Sequence, residues 1–186
     1  MADLEPLIGE PLALDLVNTR PLGADLLETP AQLADWLRRE ADRLPEPPPA
    51  HPTARDLAAV RDVREHLSAA LDALLHGRRP PAAALRGLTA AQSAAPAIRR
   101  LDWNGDTIVE TTARLGDPGT RLAAHLADAA ATLLTDPAVA RIRQCAAQDC
   151  VMLFLPAHPR RQWCSPDRCG NRVRVARYYQ RHKAAD

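Results

Sequence analysis

All four cysteines of this 186-residue chain fall within one short C-terminal stretch, at Cys145, Cys150, Cys164 and Cys169. They form two pairs, each with four residues between its members, and thirteen residues separate the pairs. A tetrahedral metal needs four soft ligands, and two short loops that each offer two thiolates supply them. The spacing therefore predicts a structural zinc site with Cys145, Cys150, Cys164 and Cys169 as its ligands. Two disulfides, or inert or redox-active thiols, are the competing readings. Residues 1–23 contain no basic segment followed by an apolar run, so nothing marks the chain for export. A chain of this length can hold a core without disulfides. Clustering in spaced pairs argues against inert burial.

The residues around the cysteines sharpen the expectation. Val151, Leu153 and Leu155 alternate with Met152 and Phe154, which suits a short strand. Pro156 and Pro159 bracket a turn, after which Arg161–Cys164 can return as a second strand. Ser165-Pro166 reads as a helix start, with Ser165 as N-cap and Pro166 in the first helical position. The helix is expected to run to about His182. Knuckle, hairpin and a helix carrying the last ligand make a treble-clef-like finger.

The run Arg161-Gln162-Trp163-Cys164-Ser165, followed by Cys169-Gly170-Asn171-Arg172, resembles the CGNR zinc fingers, which are named for those last four residues. Cys145-Ala146-Ala147 and Phe154 fit the same pattern. The resemblance implies a partner domain of the ABATE type, described as a stress-induced transcription regulator. Leu14-Asp15-Leu16-Val17-Asn18-Thr19 resembles the opening of that domain. The chain departs from the finger pattern after Phe154-Leu155, where an acidic residue and a longer turn are expected and Pro156 and Pro159 stand instead.

Upstream, the pattern is mainly helical. Leu12, Leu14 and Leu16 suggest a strand or a short turn-flanked element over residues 9–19. Its polar residues Asp15 and Asn18, with Trp103, make a candidate ligand pocket; the plainer reading is buried hydrogen bonds that fix the turn before Pro21. Thr29-Pro30 starts a helix to about Leu44. Five prolines between Pro45 and Pro52 require an extended surface loop. Thr53 opens a long helix to about His76, whose inward stripe Leu57, Val60, Leu67, Leu71 and Leu74 contains one exception, Arg64, either a buried anion ligand or, the plainer reading, a snorkelling side chain. Gly77 ends it. Pro80-Pro81 begins an Ala-rich helix to about Ala95. Asn104-Gly105 between β-prone runs at 98–103 and 107–112 predicts a hairpin. A last helix covers about Thr120 to Thr135, stopped by Asp136-Pro137. The fold class expected is α+β: a mainly helical body with a small β-hairpin over residues 1–140, and the finger with its basic C-terminal helix over 141–186. No flexible linker separates them, so the two are expected to pack together.

Charge divides the chain in the same place. From Arg141 onward there are ten Lys and Arg against three Asp and Glu, a balance of +7; the remainder has fourteen against twenty, a balance of −6. A basic module on an acidic body suggests a polyanionic partner, DNA. If Cys169 faces the metal, Val173 and Ala176 share its side of the helix. Asn171, Arg174, Tyr178 and Arg181 then line the opposite side, flanked by Arg177. These are candidates to read bases, and Arg160 and Arg161 to hold phosphates. Arg172 either joins them or buttresses the cysteine loop. No catalytic signature is present, and four thiolates leave zinc no open position for hydrolysis. There is no apolar run of eighteen residues, hence no membrane span is expected. The expectation is a zinc-dependent, DNA-binding transcriptional regulator of bacterial type acting in the cytoplasm, with a body that senses a small-molecule effector or forms a homodimer. A finger for protein or RNA contact, or a thiol redox switch, is the alternative.

Overall fold

The computed structural model describes residues 8–183, apart from the side chains of Arg177, Arg181 and Lys183. About 53% of it is helical. The body contains α1 (Leu12–Val17), α2 (Pro30–Arg39), α3 (Ala54–Leu75), α4 (Ala82–Ala94) and α5 (Pro118–Thr135). Between α4 and α5 lies a hairpin of β1 (Ile98–Trp103) and β2 (Ile108–Ala113). The finger adds β3 (Arg143–Gln144), β4 (Leu153–Phe154) and α6 (Asn171–Lys183).

Helix starts follow their caps. Thr29 and Thr53 each accept from the backbone N–H three residues on, and Gln32 and Asp56 reach back to close both capping boxes. The three long helices α3, α4 and α5 pack on one another. Val60, Val63, Leu67 and Leu71 of α3 meet Leu122, Leu126, Ala130 and Leu133 of α5 in one core with Trp36 and Leu37 of α2. Gly119 admits the start of α5 against α3: a Cβ there would lie 1.8 Å from the Asp56 carboxylate.

Two readings of the body are corrected. Within the 9–19 segment Leu12–Val17 form a short helix flanked by a bend and a turn; the turn-flanked element forms, and the strand does not. Six residues are too few to separate a period of 2 from one of 3.6, and α1 buries Ala13, Leu14, Asp15 and Leu16 in succession, so neither period shows. Arg64 does not snorkel to solvent. It is 1% exposed, pairs through both terminal nitrogens with Asp25 at 2.6 Å, and donates to Thr19 Oγ1 at 3.0 Å. Its anion is supplied by the protein itself.

The expected hairpin forms as read, with Ile98 opposite Ala113 and Trp103 opposite Ile108. Gly105 takes a φ of +106°, open to glycine, and the Asn104 side chain accepts from the N–H groups of Asp106 and Thr107. Arg114 ties the base of the hairpin to the body through the Ala95 carbonyl and Asp128.

In the finger, β4 pairs with β3, the segment before the first cysteine, and not with Arg161–Cys164. The second cysteine arm makes one backbone bond to the knuckle, Ala146 N–H to Gln162 C=O at 2.9 Å. Prolines at 156 and 159 lack the N–H groups that a returning strand would need. The other edge of β4 is taken by a side chain. Asn18 donates to Leu153 C=O and accepts from Leu153 N–H, each at 2.8 Å, and so acts as a one-residue strand. Ile142 and Leu153 belong to the core of the body, so body and finger are packed together.

Candidate metal centre

Each cysteine is delivered by a distinct piece of local structure. Cys145 follows β3, and its N–H donates to Met152 C=O at 2.9 Å. The chain then turns through Asp149, whose φ of 58° lies in the left-handed region, and presents Cys150. Cys164 ends the arm packed against Trp163 and Phe154. Ser165 caps the turn after it, accepting from Arg168 N–H at 3.3 Å, with Pro166 next, as the sequence predicts. Residues Pro166–Gly170 form one wide turn closed by Gly170 N–H to Ser165 C=O, and it carries Cys169.

The four sulfurs converge. All lie within 4.8 Å of one another. Cys150–Cys164, Cys164–Cys169 and Cys169–Cys150 are 3.8, 3.6 and 3.7 Å apart. A tetrahedron with metal–sulfur bonds of about 2.3 Å has corners about 3.8 Å apart. A disulfide would bring two sulfurs to about 2.05 Å, and all four cysteines are free thiols. The donor set and its dimensions fit Zn2+.

Electrostatics point the same way. Burial pushes the Cys150 thiol up to about 11, and its hydrogen bonds and charge contact with neighbouring cysteines add to that. Burial and the crowding of Cys150 and Cys169 push Cys164 higher still. Burial raises Cys145 too, but the Ala147 and Cys164 N–H groups outweigh it and hold that thiol below its ordinary value. Four thiolates can share so small a volume only around a cation. Arg172 places a guanidinium 3.6 Å from Cys169 Sγ and 3.2 Å from Gln148 C=O, which braces the knuckle and offsets thiolate charge.

Arg161 is not placed as a phosphate ligand. Its guanidinium lies 4.5 Å from the centre of the fully buried Phe154 ring and donates to Trp163 C=O, Cys164 C=O and Glu10 Oε1 at 3.1, 2.6 and 2.5 Å. Glu10 also accepts from Leu155 N–H at 2.9 Å. The acidic residue missing after Phe154-Leu155 is thus met by a carboxylate from the body. Glu10 has no local sequence signal, because its partners stand some 145 and 151 positions away. Its carbonyl in turn accepts from Arg43, which pairs with the fully buried Asp15 and Glu40.

The candidate ligand pocket is not assembled. Asp15 is 0% exposed and holds Gly9 N–H, Glu10 N–H and Arg43; Asn18 is 2% exposed and committed to Leu153. Trp103 is largely exposed on β1. Asp15 and Asn18 are buried and hydrogen-bonded, as the plainer reading has it, but their partners are Gly9, Glu10, Arg43 and Leu153 and not the turn before Pro21.

On α6, Val173 packs against the cysteine cluster as expected, whereas Ala176 is exposed. The helix has run past the small metal core by its second turn. Asn171, Arg174 and Tyr178 are exposed, as is Arg160 on the loop before the second cysteine arm. Tyr178 stacks on His182 at 4.0 Å. Arg177 and Arg181 lie on the same helix, and their side chains are outside the described residues.

Comparison with known families agrees with both halves. A family described as "Putative stress-induced transcription regulator" (ABATE) matches residues 10–137, more than half of the chain, and the CGNR zinc finger matches residues 141–182. No curated protein matches the chain. Among the described residues no helix is long and apolar enough to cross a membrane.

Proposed function

The chain belongs to the ABATE family and ends in a CGNR zinc finger that binds Zn2+, and on that premise we propose that it is a zinc-dependent DNA-binding transcriptional regulator acting in the cytoplasm. Cys145, Cys150, Cys164 and Cys169 hold the metal; residues 141–186 contact DNA and residues 1–140 form the regulatory body. The carrying observation is the exposed polar face of α6: Asn171, Arg174 and Tyr178 stand clear of the cysteine cluster on a helix that begins two residues after the last ligand. A helix fits the major groove, and Arg and Asn side chains read guanine and adenine edges through paired hydrogen bonds. Arg177 and Arg181 lie on the same helix and are assigned to DNA contact from the sequence, and the exposed Arg160 would hold a phosphate. Arg161 and Arg172 act one layer behind, fixing the second cysteine arm and the knuckle against each other.

Zinc here is structural. Four thiolates close its coordination shell, so its contribution is to fix the start of α6 relative to the knuckle. Metal analysis should find one zinc per chain, and Cys164→Ser should lose it. The DNA reading is tested by selecting genomic fragments with the zinc-loaded protein and comparing Arg174→Ala and Arg160→Ala on the selected site and on unrelated DNA over a salt series. Arg174→Ala should cost about 1–3 kcal/mol on the selected site and much less elsewhere. Arg160→Ala should weaken all sequences alike and flatten the salt slope by about 0.9. If neither change alters binding while both variants keep zinc, the finger is not the DNA reader, and a protein or RNA contact takes its place.

A further inference from the structure

The β1–β2 hairpin contributes almost nothing to the core. Every residue of β1 is exposed, and Leu101, Trp103 and Ile108 are 74%, 61% and 69% exposed. Period 2 and the register put Trp103 beside Ile108 and Leu101 beside Glu110 on one face. Among the described residues the sheet has these two strands alone, which leaves β1 an open edge. Isolated two-stranded hairpins are marginal in water, and an open edge with exposed apolar side chains is a template for another strand.

The hydrogen-bond phase shows which backbone groups face out. Asn104 N–H donates to Thr107 C=O at the turn. Antiparallel pairs alternate, so Asp102/Val109 and Arg100/Thr111 are bonded pairs, while Arg99, Leu101 and Trp103 turn their N–H and C=O groups outward. Consistent with this, the Trp103 N–H is met only by its neighbour's side chain, Asp102 Oδ1 at 2.8 Å.

We propose that β1 pairs antiparallel with β1 of a second copy, with Leu101 opposite Leu101 on the two-fold axis, to make a four-stranded sheet across a homodimer. In this register the outward-facing residues meet as bonded pairs: Leu101 with Leu101, and Arg99 with Trp103 of the other copy. Arg100 falls opposite Asp102 of the other copy, twice, in the closer non-bonded pairs where side chains interact most. Arg99, whose guanidinium pairs with Glu110 of its own hairpin at 3.5 Å, stands on the same face as Trp103 of the other copy. The neighbouring two-fold registers are excluded by charge. One sets Arg100 against Arg100, the other Asp102 against Asp102, and a slip of a single residue brings the wrong backbone groups together. The β2 edge offers no such match: its corresponding two-fold register centred on Glu110 would oppose two carboxylates. The partner is therefore a second copy of this chain, and the register is written in the sequence Arg99-Arg100-Leu101-Asp102-Trp103. Paired this way, two fingers are related by a two-fold axis, but the pairing itself does not depend on the finger reading DNA.

The test uses the full-length, zinc-loaded protein without DNA, followed by sedimentation equilibrium over a concentration series. The wild-type protein should show a monomer–dimer equilibrium. Arg100→Asp and Asp102→Arg each place like charges opposite one another and should raise the dimer dissociation constant about tenfold or more. The double variant Arg100→Asp/Asp102→Arg restores opposite charges and should recover the wild-type constant, as should an equimolar mixture of the two single variants. Unchanged circular dichroism and zinc content in the single variants exclude misfolding. A wild-type protein that stays monomeric throughout, or a double variant no better than the singles, overturns the proposal.

Discussion

Single residues carry much of the tension in this molecule. Asp15 and Glu40 are both fully buried and share one guanidinium, that of Arg43, at 2.6 Å each. Two carboxylates with one cation leave an unbalanced charge in a low-dielectric site. Burial first, and then the neighbouring Asp15 charge, raise Glu40 to about 7 against the pull of Arg43. Glu40 Oε1 also lacks a hydrogen-bond partner. The folded protein thus holds a proton on Glu40 that the unfolded chain releases near pH 4.5. A carboxyl group raised in the folded state stabilises the fold fully below the unfolded value, and that contribution drains away as pH rises toward the folded value. Between about pH 4.5 and 7 the wild-type protein should therefore lose stability relative to Glu40→Gln, by roughly 1–3 kcal/mol across the window. Urea unfolding of both proteins at several pH values measures the difference. A constant difference from pH 5 to 8 would show that Glu40 does not titrate in that range.

At the scale of elements, the sequence reported well wherever local chemistry decides. Thr29 and Thr53 cap the helices they were expected to cap, and Asn104-Gly105 turns the hairpin; Ser165 caps the wide turn Pro166–Gly170 instead, and α6 starts only at Asn171. The cysteine pairs predicted their own convergence because their spacing is a property of the metal. What escaped was decided at long range. The strand partner of Leu153 is a side chain 135 positions away, and the acceptor of Arg161 lies 151 positions away; no periodicity carries either. Arg64 looked anomalous in an apolar stripe because its anion, Asp25, sits in a loop without pattern. Close packing of α3 and α5 is another such case. Asp56 is committed to the cap of α3, accepting from Thr53 N–H at 2.7 Å, so it cannot swing away from Gly119 without opening that cap. Gly119→Ala removes backbone freedom from the unfolded chain, a small gain, but must displace a carboxylate 1.8 Å away. Overpacking should win, with a net loss of about 1–3 kcal/mol. Thermal unfolding reads this out; an unchanged or raised midpoint would mean that the start of α5 shifts freely.

For the whole molecule the question is whether metal and body are one cooperative unit. Two apolar residues beside the knuckle, Ile142 and Leu153, sit in the core of the body, and Asn18 completes the edge of β4 from α1's C-terminal end. A polar path runs beside them: Glu40 and Asp15 to Arg43, Arg43 to the Glu10 carbonyl, and the Glu10 carboxylate to Arg161, which holds the carbonyl of Cys164. Zinc fixes Cys164, so zinc also fixes the far end of that path. If the finger were a tethered appendage, chelation would melt residues 141–183 and leave the helices of the body untouched. The shared core predicts otherwise. Losing the burial of Leu153 and Ile142 should cost about 1.5–3 kcal/mol each where their environment opens. Removing zinc should therefore lower the melting midpoint of the helical signal as a whole, and readdition should restore it. Glu10→Gln keeps the size of the side chain but removes the charge facing Arg161. It should weaken the coupling, so that chelation lowers the midpoint of this variant less than that of the wild type. Hydrogen exchange on α3 and α5 with and without zinc gives the same answer residue by residue. Exchange rates there that ignore zinc would separate the finger from the body, whereas slowing on metal binding shows one fold in which the metal site supports the helices of the body.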